Sequence, residues 1–144
     1  MKGVALTDHG NMFGAFKFVN EARKRNIKPM IGCEFYMVAD RHKKAFSRAA
    51  GEKDKRYHQL MLAKNKQGYI NLSKLCSIGY IEGLYGKFPR IDKELNVKYH
   101  EGLIVTSCRI GADIPQPPIA GKAEEDDKAS TWWCDIYGAD YYIE

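Results

Sequence analysis

Hydrophobic and polar positions follow two different periods along the chain, and the changes of period divide it into short strands and longer helices. Strands are expected where the apolar runs are short, at residues 4–6, 30–38, 58–63, 103–106 and 141–144. Helices are expected where apolar residues recur every three or four positions, at residues 12–25, 69–80 and 123–136, with a short helical turn at 92–95. Strands that alternate with helices predict an α/β fold with a largely parallel sheet.

The first helix has a signal at each end. Asn11 precedes it and is a residue type that caps helices, while Asn26 follows its last periodic position and is expected to close it. Its apolar positions share one face, which consists of Met12, Phe16, Val19 and Ala22.

Composition restricts the class of protein. The 144 residues are enough for one domain with a hydrophobic core, and 44% hydrophobic with 28% charged residues is ordinary for a globular protein. No apolar run approaches the roughly 20 residues that a membrane span requires, and the first residues do not resemble a secretory signal. The four cysteines show no CxxC spacing, so we expect reduced thiols in a cytoplasmic protein.

Positive charge is concentrated in one segment. The net charge of +5 permits a nucleic-acid partner without implying one. Residues 40–56 contain seven Lys or Arg against three acids, and the first interpretation is a solvated, mobile loop. The alternative is an arm that contacts phosphates beside an active site, with Lys43, Lys44 and Arg48 as the nucleic-acid contacts.

Side chains that can bind metals lie at or near the ends of the expected strands. His9 lies just past the first strand, Glu34 is inside the second, His58 opens the third and Cys108 follows the fourth. In parallel α/β sheets and barrels the carboxyl ends of strands carry the chemistry, so these side chains can converge on a divalent metal. Imidazole and carboxylate suit zinc, manganese or iron, and Asp8 can orient a ligating imidazole.

Each of these residues also has a simpler explanation. A histidine after a strand is more often a hydrogen-bonded or capping residue than a ligand. Glu34 can be a buried carboxylate with a partner, because buried carboxylates are rare without one. His58 alone is uninformative, and Cys108 is by default a small buried hydrophobic residue.

Six stretches of the sequence occur in the order and at about the spacing of a known family. They are ALTDHGNMFGAFKF, IKPMIGCEFYM, HQLMLAKNKQGYINLSKL, YIEGLYGKFPRIDKEL, EGLIVTS and YGADYYIE. On these motifs the chain resembles the PHP (polymerase and histidinol phosphatase) domain at the N-terminus of bacterial replicative DNA polymerase III alpha subunits. The stretches LAKNKQGYINL and PRIDKEL are typical of the polymerase branch and are not expected in a histidinol phosphatase.

The resemblance implies a distorted β/α barrel with a metal cluster at the carboxyl ends of its strands. His9 matches the family's histidine in the TDHG motif, Glu34 its bridging glutamate, and His58 the histidine that opens the next strand. Asp8 matches the neighbouring aspartate, which is expected to orient a ligand, and Gly10 permits a sharp turn beside the metal. The TDHG motif is therefore interpreted as a metal-ligand turn.

The sequence departs from the family pattern in two ways. The family's opening HxH strand and its closing Asp and His motif are not in this sequence, so we expect residues 1–144 to be a partial PHP domain, truncated at both ends, of a longer protein. The family's cysteine ligand corresponds to Arg109, while Cys108 occupies the site of a small residue. This shift puts Cys108 in doubt as a ligand and indicates a degraded corner of the cluster.

The resemblance also implies a function for the parent protein. The parent is expected to be a DNA-directed DNA polymerase that uses magnesium, with DNA, a proofreading subunit and a sliding clamp as partners. Its PHP domain would be a zinc- or manganese-dependent phosphoesterase in proofreading, or a structural docking platform. The fragment itself is expected to be inactive, and the alternative is a stand-alone PHP-type metal-dependent phosphoesterase.

Truncation has a consequence for assembly. A barrel cut at both ends leaves unpaired strand edges and exposed apolar helix faces, including those of Met12, Phe16 and Val19 or of Trp132 and Trp133. We therefore expect the isolated fragment to self-associate.

Overall fold

The computed structural model describes residues 1–47, 51–108 and 131–143. The strands in these ranges are β1 (Gly3–His9), β2 (Lys28–Met37), β3 (Tyr57–Ala63), β4 (Arg90–Ile91), β5 (Leu103–Thr106) and β6 (Tyr141–Tyr142). The helices are α1 (Ala15–Lys24), α2 (Lys66–Ile81) and α3 (Lys93–Tyr99), followed by helical residues 131–137 and a 3-10 turn at Gly138–Asp140. The predicted α/β class is confirmed, and the sheet with its helices agrees with part of a β/α barrel.

The strands form one sheet in the order β1-β2-β3-β5-β6. The short β4 pairs with Tyr36 and Met37 of β2, beyond the part of β2 that pairs with β1. Strand β3 is antiparallel to both of its neighbours, while the other pairs are parallel. The expectation of a largely parallel sheet therefore holds with one reversed strand.

The hydrophobic core lies between one face of the sheet and α2. Alternation along β2 sends Cys33, Phe35 and Met37 to this face, where each is at most 2% exposed. From α2, Leu72 and Leu75 complete the contact and are fully buried. Burial of each large side chain contributes about 1.5–3 kcal/mol, so this face fixes which side of β2 points away from the core.

The start of α1 differs from the prediction. Asn11 does not cap it: the Asn11 carboxamide accepts from the Phe13 amide and donates to the His9 carbonyl, which makes a turn before the helix. The helix then begins at Ala15, and the face that it turns inward consists of Ala15, Phe18, Val19 and Ala22. Phe16 was predicted on the apolar face but lies outside it and is 82% exposed. The end was predicted correctly, because Asn26 follows α1 with a left-handed φ of 54°.

Some predictions fall outside the described residues. These are Arg48, Arg109, the helix over 123–130 and residue 144. Within the described residues, no helix is both long and apolar enough to cross a membrane.

Candidate metal centre

His9, Glu34 and His58 meet at one edge of the sheet. The His9 Nδ1 atom lies 3.4 Å from Glu34 Oε2, and His58 Nδ1 makes a short hydrogen bond with Glu34 Oε1. One ligand atom of each residue lies within 4.8 Å of the ligand atoms of the other two. We call these three residues the His–Glu cluster, and in the part of the chain that the structure describes it is the single group of this kind.

Strand register explains the convergence. His9 pairs with Glu34 across β1 and β2, and Tyr36 pairs with His58 across β2 and β3. Paired residues point to the same face, and so do residues two apart in a strand, which places all four side chains on the face opposite the core. His58 is the second residue of β3, so it lies near the carboxyl ends of β1 and β2 only because β3 runs in the reverse direction.

The backbone after His9 turns through a position that only glycine suits. Gly10 has a φ of +69°, in the left-handed region, and its amide donates to the Glu34 carbonyl at 2.9 Å. A Cβ at this position would lie 2.7 Å from Pro89 Cγ and 3.2 Å from Tyr36 Cε2. Gly10 thus ties the end of β1 to β2 and holds His9 beside Glu34.

The donor set fits a divalent metal. Two imidazoles and a carboxylate are a ligand set used by catalytic zinc, which keeps a further position open. Metal–ligand bonds of about 2.0–2.2 Å place two ligands of one zinc ion about 3.3–3.6 Å apart. The 3.4 Å between His9 Nδ1 and Glu34 Oε2 lies in that range. His58 Nδ1 is instead hydrogen-bonded directly to Glu34 Oε1, so this ring would have to move away from Glu34 to share an ion with it. The His9 side chain is 62% exposed and the His58 side chain 36%, so solvent and a ligand can reach the cluster.

Asp8 and Cys108 do not join the cluster. Asp8 Oδ2 accepts from the amide of Gly14 at 3.2 Å, on the α1 side of β1 and opposite to His9, so it holds the β1–α1 turn. Cys108 is outside the group of mutually close ligand atoms. It follows β5, which lies two strands from β2 and hence about 10 Å away. An orienting role for Asp8 and ligation by Cys108 stay predictions that this geometry does not support.

The cysteine closest in sequence to the cluster also points away from it. Cys33 is fully buried in the core, on the face opposite to Glu34. A hydrogen bond with Cys76, together with burial, raises the pKa of the Cys33 thiol. It therefore stays protonated and is not a ligand for a metal at this edge.

A second cluster of charged residues was missed by the sequence analysis. Arg41 donates to both carboxylate oxygens of Asp92 at 2.9 Å, and Arg90 donates to Asp54 at 2.9 Å and to the carbonyls of Arg41 and Lys43. We call Arg41, Arg90, Asp54 and Asp92 the arginine network. The only sequence signal was Asp92, a residue type that caps helices, and it does cap α3 through the Leu95 amide.

The arginine network anchors the basic segment at 40–56. Arg41 is only 7% exposed, so this residue belongs to the interior and not to a solvated loop. Burial alone would lower the pKa of Arg41, but Glu82, Glu94 and Asp92 more than offset it and raise the pKa. The Lys43 ammonium pairs with Glu52 at 2.9 Å, and Lys44 is exposed. Mobility of the segment and its contact with nucleic acid stay predictions.

Comparison with known proteins gives consistent results along the whole chain. A model of the PHP domain family matches residues 1–144. DNA polymerase III subunit alpha of Borreliella burgdorferi is 46% identical over 144 residues, which cover 100% of this chain and 12% of that protein. The same subunit of Treponema pallidum is 40% identical over 99% of this chain, and that of Deinococcus radiodurans 39% over 98%. The chain spans only 11% to 12% of the length of these relatives.

Proposed function

The chain belongs to the PHP domain family, and from this premise we propose that it is part of a bacterial DNA polymerase III alpha subunit and carries a divalent metal site. The observation that carries the metal site is the His–Glu cluster, in which three donor side chains converge from three strands. The parentage is supported by relatives that share one name along almost the whole chain.

The three side chains have distinct roles in this proposal. Glu34 contacts the His9 imidazole with Oε2 and the His58 imidazole with Oε1, and so holds both rings beside one carboxylate. A divalent ion bound there would supply Lewis acidity toward a phosphate oxygen and would activate water. Zinc and manganese are the proposed ions because both accept imidazole and carboxylate ligands.

Hydrolysis by this segment alone is not proposed. Metal-assisted hydrolysis of a phosphoester needs a clamp on the phosphate in addition to an activated water. The described residues supply one group of three donors, and Cys108 does not extend it. We therefore propose that the segment alone is hydrolytically inactive, and that in the parent it either completes a phosphoesterase site or serves as a docking platform.

The whole protein's activity and partners are also proposals. We propose that the parent transfers nucleotides to DNA in the bacterial cytoplasm, with magnesium as its polymerase metal. A proofreading subunit and a sliding clamp are its proposed partners. A stand-alone phosphoesterase is the weaker alternative, because the relatives are about eight times longer than this chain. Self-association of the isolated chain stays a prediction.

The test uses the full-length protein that contains this segment. Primer extension with magnesium is expected for the wild type, and its absence would contradict the polymerase parentage. Equilibrium dialysis against zinc and against manganese is expected to show binding that Glu34→Gln weakens about 100-fold. As a matched control, Glu21→Gln changes a carboxylate on exposed α1 and should leave metal binding unchanged. Equal binding by the wild type and Glu34→Gln would remove the cluster as the metal site.

A further inference from the structure

The imidazole of His58 packs against two other rings at the sheet edge. The His9 ring lies 5.9 Å from it at an interplanar angle of 89°, and the Tyr36 ring lies 5.2 Å from it at 66°, both measured between centroids. His9 belongs to the His–Glu cluster, while Tyr36 does not. Tyr36 therefore contacts one candidate ligand without being a ligand itself.

Tyr36 is held firmly enough to restrain a neighbouring ring. Its backbone pairs with His58 on β3 and with Arg90 on β4, so strands flank it on both sides. Its ring contacts the Phe88 ring edge to face, at 5.1 Å between centroids. A Cβ at Gly10 would lie only 3.2 Å from Tyr36 Cε2, so the turn after β1 closes a further side of the ring.

Phe88 is in turn anchored to the arginine network. The Arg56 guanidinium carbon lies 3.7 Å from the Phe88 ring centroid, which places a cation over that ring. Arg56 donates to Asp54, and Asp54 also accepts from the fully buried Arg90 at 2.9 Å. The Tyr36 ring is thus backed by contacts that lead into the interior.

His58 needs such a restraint because its hydrogen bond with Glu34 is incompatible with a shared ion. The imidazole has to leave Glu34 Oε1 before both groups can bind one metal. The His58 side chain is 36% exposed, so a ring released from Glu34 would regain rotamer freedom toward solvent. The contacts with Tyr36 and His9 do not depend on that hydrogen bond and oppose this movement.

We propose that Tyr36 is a positioning residue for His58, whose ring keeps the imidazole beside Glu34 and His9 when the hydrogen bond to Glu34 is released. The proposal deepens the proposed function and rests on it, because positioning matters only if His58 binds a metal. Groups that orient a ligating histidine typically change metal affinity by about 10- to 100-fold when they are removed.

A purely structural role for Tyr36 makes a different prediction. Tyr36 is half-buried and lies on the face of the sheet opposite the hydrophobic core, so it does not hold α2 against the sheet. A structural role would lower stability and leave the coordination of a bound metal unchanged. A positioning role would change that coordination while the fold is retained.

The test uses cobalt(II) in the full-length protein, because its visible absorption depends on the number and arrangement of its ligands. Subtracting the spectrum of Glu34→Gln isolates the signal of the His–Glu cluster. The variants are Tyr36→Leu, which removes the ring, and Tyr36→Phe, which removes only the hydroxyl. Tyr80→Leu is the matched control, since Tyr80 lies on α2 and its ring contacts Phe13.

Tyr36→Leu should weaken cobalt binding about tenfold or more and change the absorption bands, while Tyr36→Phe and Tyr80→Leu should resemble the wild type. A wild-type spectrum and affinity in Tyr36→Leu would overturn the proposal. Equal losses in Tyr36→Leu and Tyr36→Phe would also overturn it, because the hydroxyl and not the ring would then act. Circular dichroism verifies each fold, and if Tyr36→Leu does not fold, Phe88→Leu replaces it with the same expected direction and the same contradicting result.

A second readout does not require a metal. Diethyl pyrocarbonate modifies accessible imidazoles, and mass spectrometry locates the product when a chelator is present. The rate at His58 should rise about threefold in Tyr36→Leu, as for a side chain that regains rotamer freedom, while the rate at exposed His100 stays constant. An unchanged rate at His58 would show that Tyr36 does not confine the ring. If the wild type gives no cobalt signal that depends on Glu34, the metal site fails, and this rate still decides whether Tyr36 confines His58.

Discussion

The molecule has two clusters of charged and polar side chains, and they differ in almost every physical respect. The His–Glu cluster lies at an open sheet edge, where the His9 side chain is 62% exposed. The arginine network lies in the interior, where the side chains of Arg41 and Asp92 are 8% and 6% exposed. Within the described residues, every buried side-chain nitrogen or oxygen has a hydrogen-bond partner.

This difference in exposure predicts that one cluster matters mainly for stability and the other mainly for binding. A buried ion pair is costly to break, because its remaining member keeps a charge without a partner in a medium of low dielectric. An exposed cluster loses little when one member changes, because water replaces the lost contact. We therefore expect the arginine network to determine whether the domain folds and the His–Glu cluster to determine what it binds.

The largest effect is expected for Asp92→Ala. This change removes the buried carboxylate partner of the Arg41 guanidinium, which keeps only the more exposed Glu82 and Glu94, and it also removes the cap of α3. The lost charged hydrogen bonds and the lost cap should together lower the free energy of unfolding by about 3–4 kcal/mol in urea denaturation. Glu94→Ala is the control, because Glu94 contacts the same guanidinium at 3.0 Å but its side chain is 74% exposed. Its cost should be about 0–1 kcal/mol, and equal costs for the two variants would contradict the comparison.

A smaller loss is expected for Gly10→Ala, which affects both stability and binding. The left-handed φ of +69° and the 2.7 Å approach of a Cβ to Pro89 should together cost about 2–3 kcal/mol in the same assay. Because His9 precedes this turn, zinc affinity should fall as well. Gly86→Ala serves as a control with a similar φ of +60° and open space around the Cβ. If Gly10→Ala lowers the free energy of unfolding no more than Gly86→Ala does, the Pro89 ring moves to accommodate the added methyl group.

Tyr137→Phe should cost about 1–2 kcal/mol near neutral pH, because the Tyr137 hydroxyl donates to Asn96 Oδ1 at 3.0 Å in the core. Burial raises the pKa of Tyr137. In the unfolded chain this tyrosine ionises near pH 10, while in the folded chain it stays neutral, so stability falls as pH rises above about 10. Denaturation midpoints from neutral to alkaline pH should show a steeper fall for the wild type than for Tyr137→Phe. If the two curves are parallel, Tyr137 does not contribute to the fall in stability at alkaline pH.

The sequence predicted the exposed cluster better than the buried one, for a physical reason. The exposed cluster consists of His9, Glu34 and His58, and all three lie within strands. The alternation of side chains along a strand can be read from the sequence, and it assigns each of them to one face of the sheet. Tyr36 shares their face through the same alternation and could have been found with them. The sequence could not show that β3 runs antiparallel to β2 and β5, because the direction of a strand depends on its pairing with residues that are distant in the sequence.

Arg41 and Arg90 could not be found in this way. Arg41 stands in a run of basic residues, which favours a solvated loop, and its partner Asp92 is 51 positions away. Arg90 belongs to a strand of two residues, too short to show any period. The N-terminal shift of α1 has a related cause, because the Asn11 side chain bonds to nearby backbone and competes with helix capping.

The smallest effect on folding is expected for Glu34→Gln in the absence of metal. The amide keeps the shape of the side chain at a site that is 23% exposed, so the free energy of unfolding should change by about 0.5 kcal/mol or less. Thermal denaturation with a chelator measures this change. A loss comparable to that of Asp92→Ala would show that the His–Glu cluster is a structural ion network and not a binding site.

The most direct measurement is anomalous X-ray diffraction from crystals of the protein grown with zinc or manganese. The account predicts a peak at the absorption edge of the metal, about 2.0–2.2 Å from a nitrogen of His9, an oxygen of Glu34 and a nitrogen of His58. The peak should be missing in crystals of Glu34→Gln grown under the same conditions. A metal bound elsewhere, with His9, Glu34 and His58 still joined only to one another, would contradict the central claim.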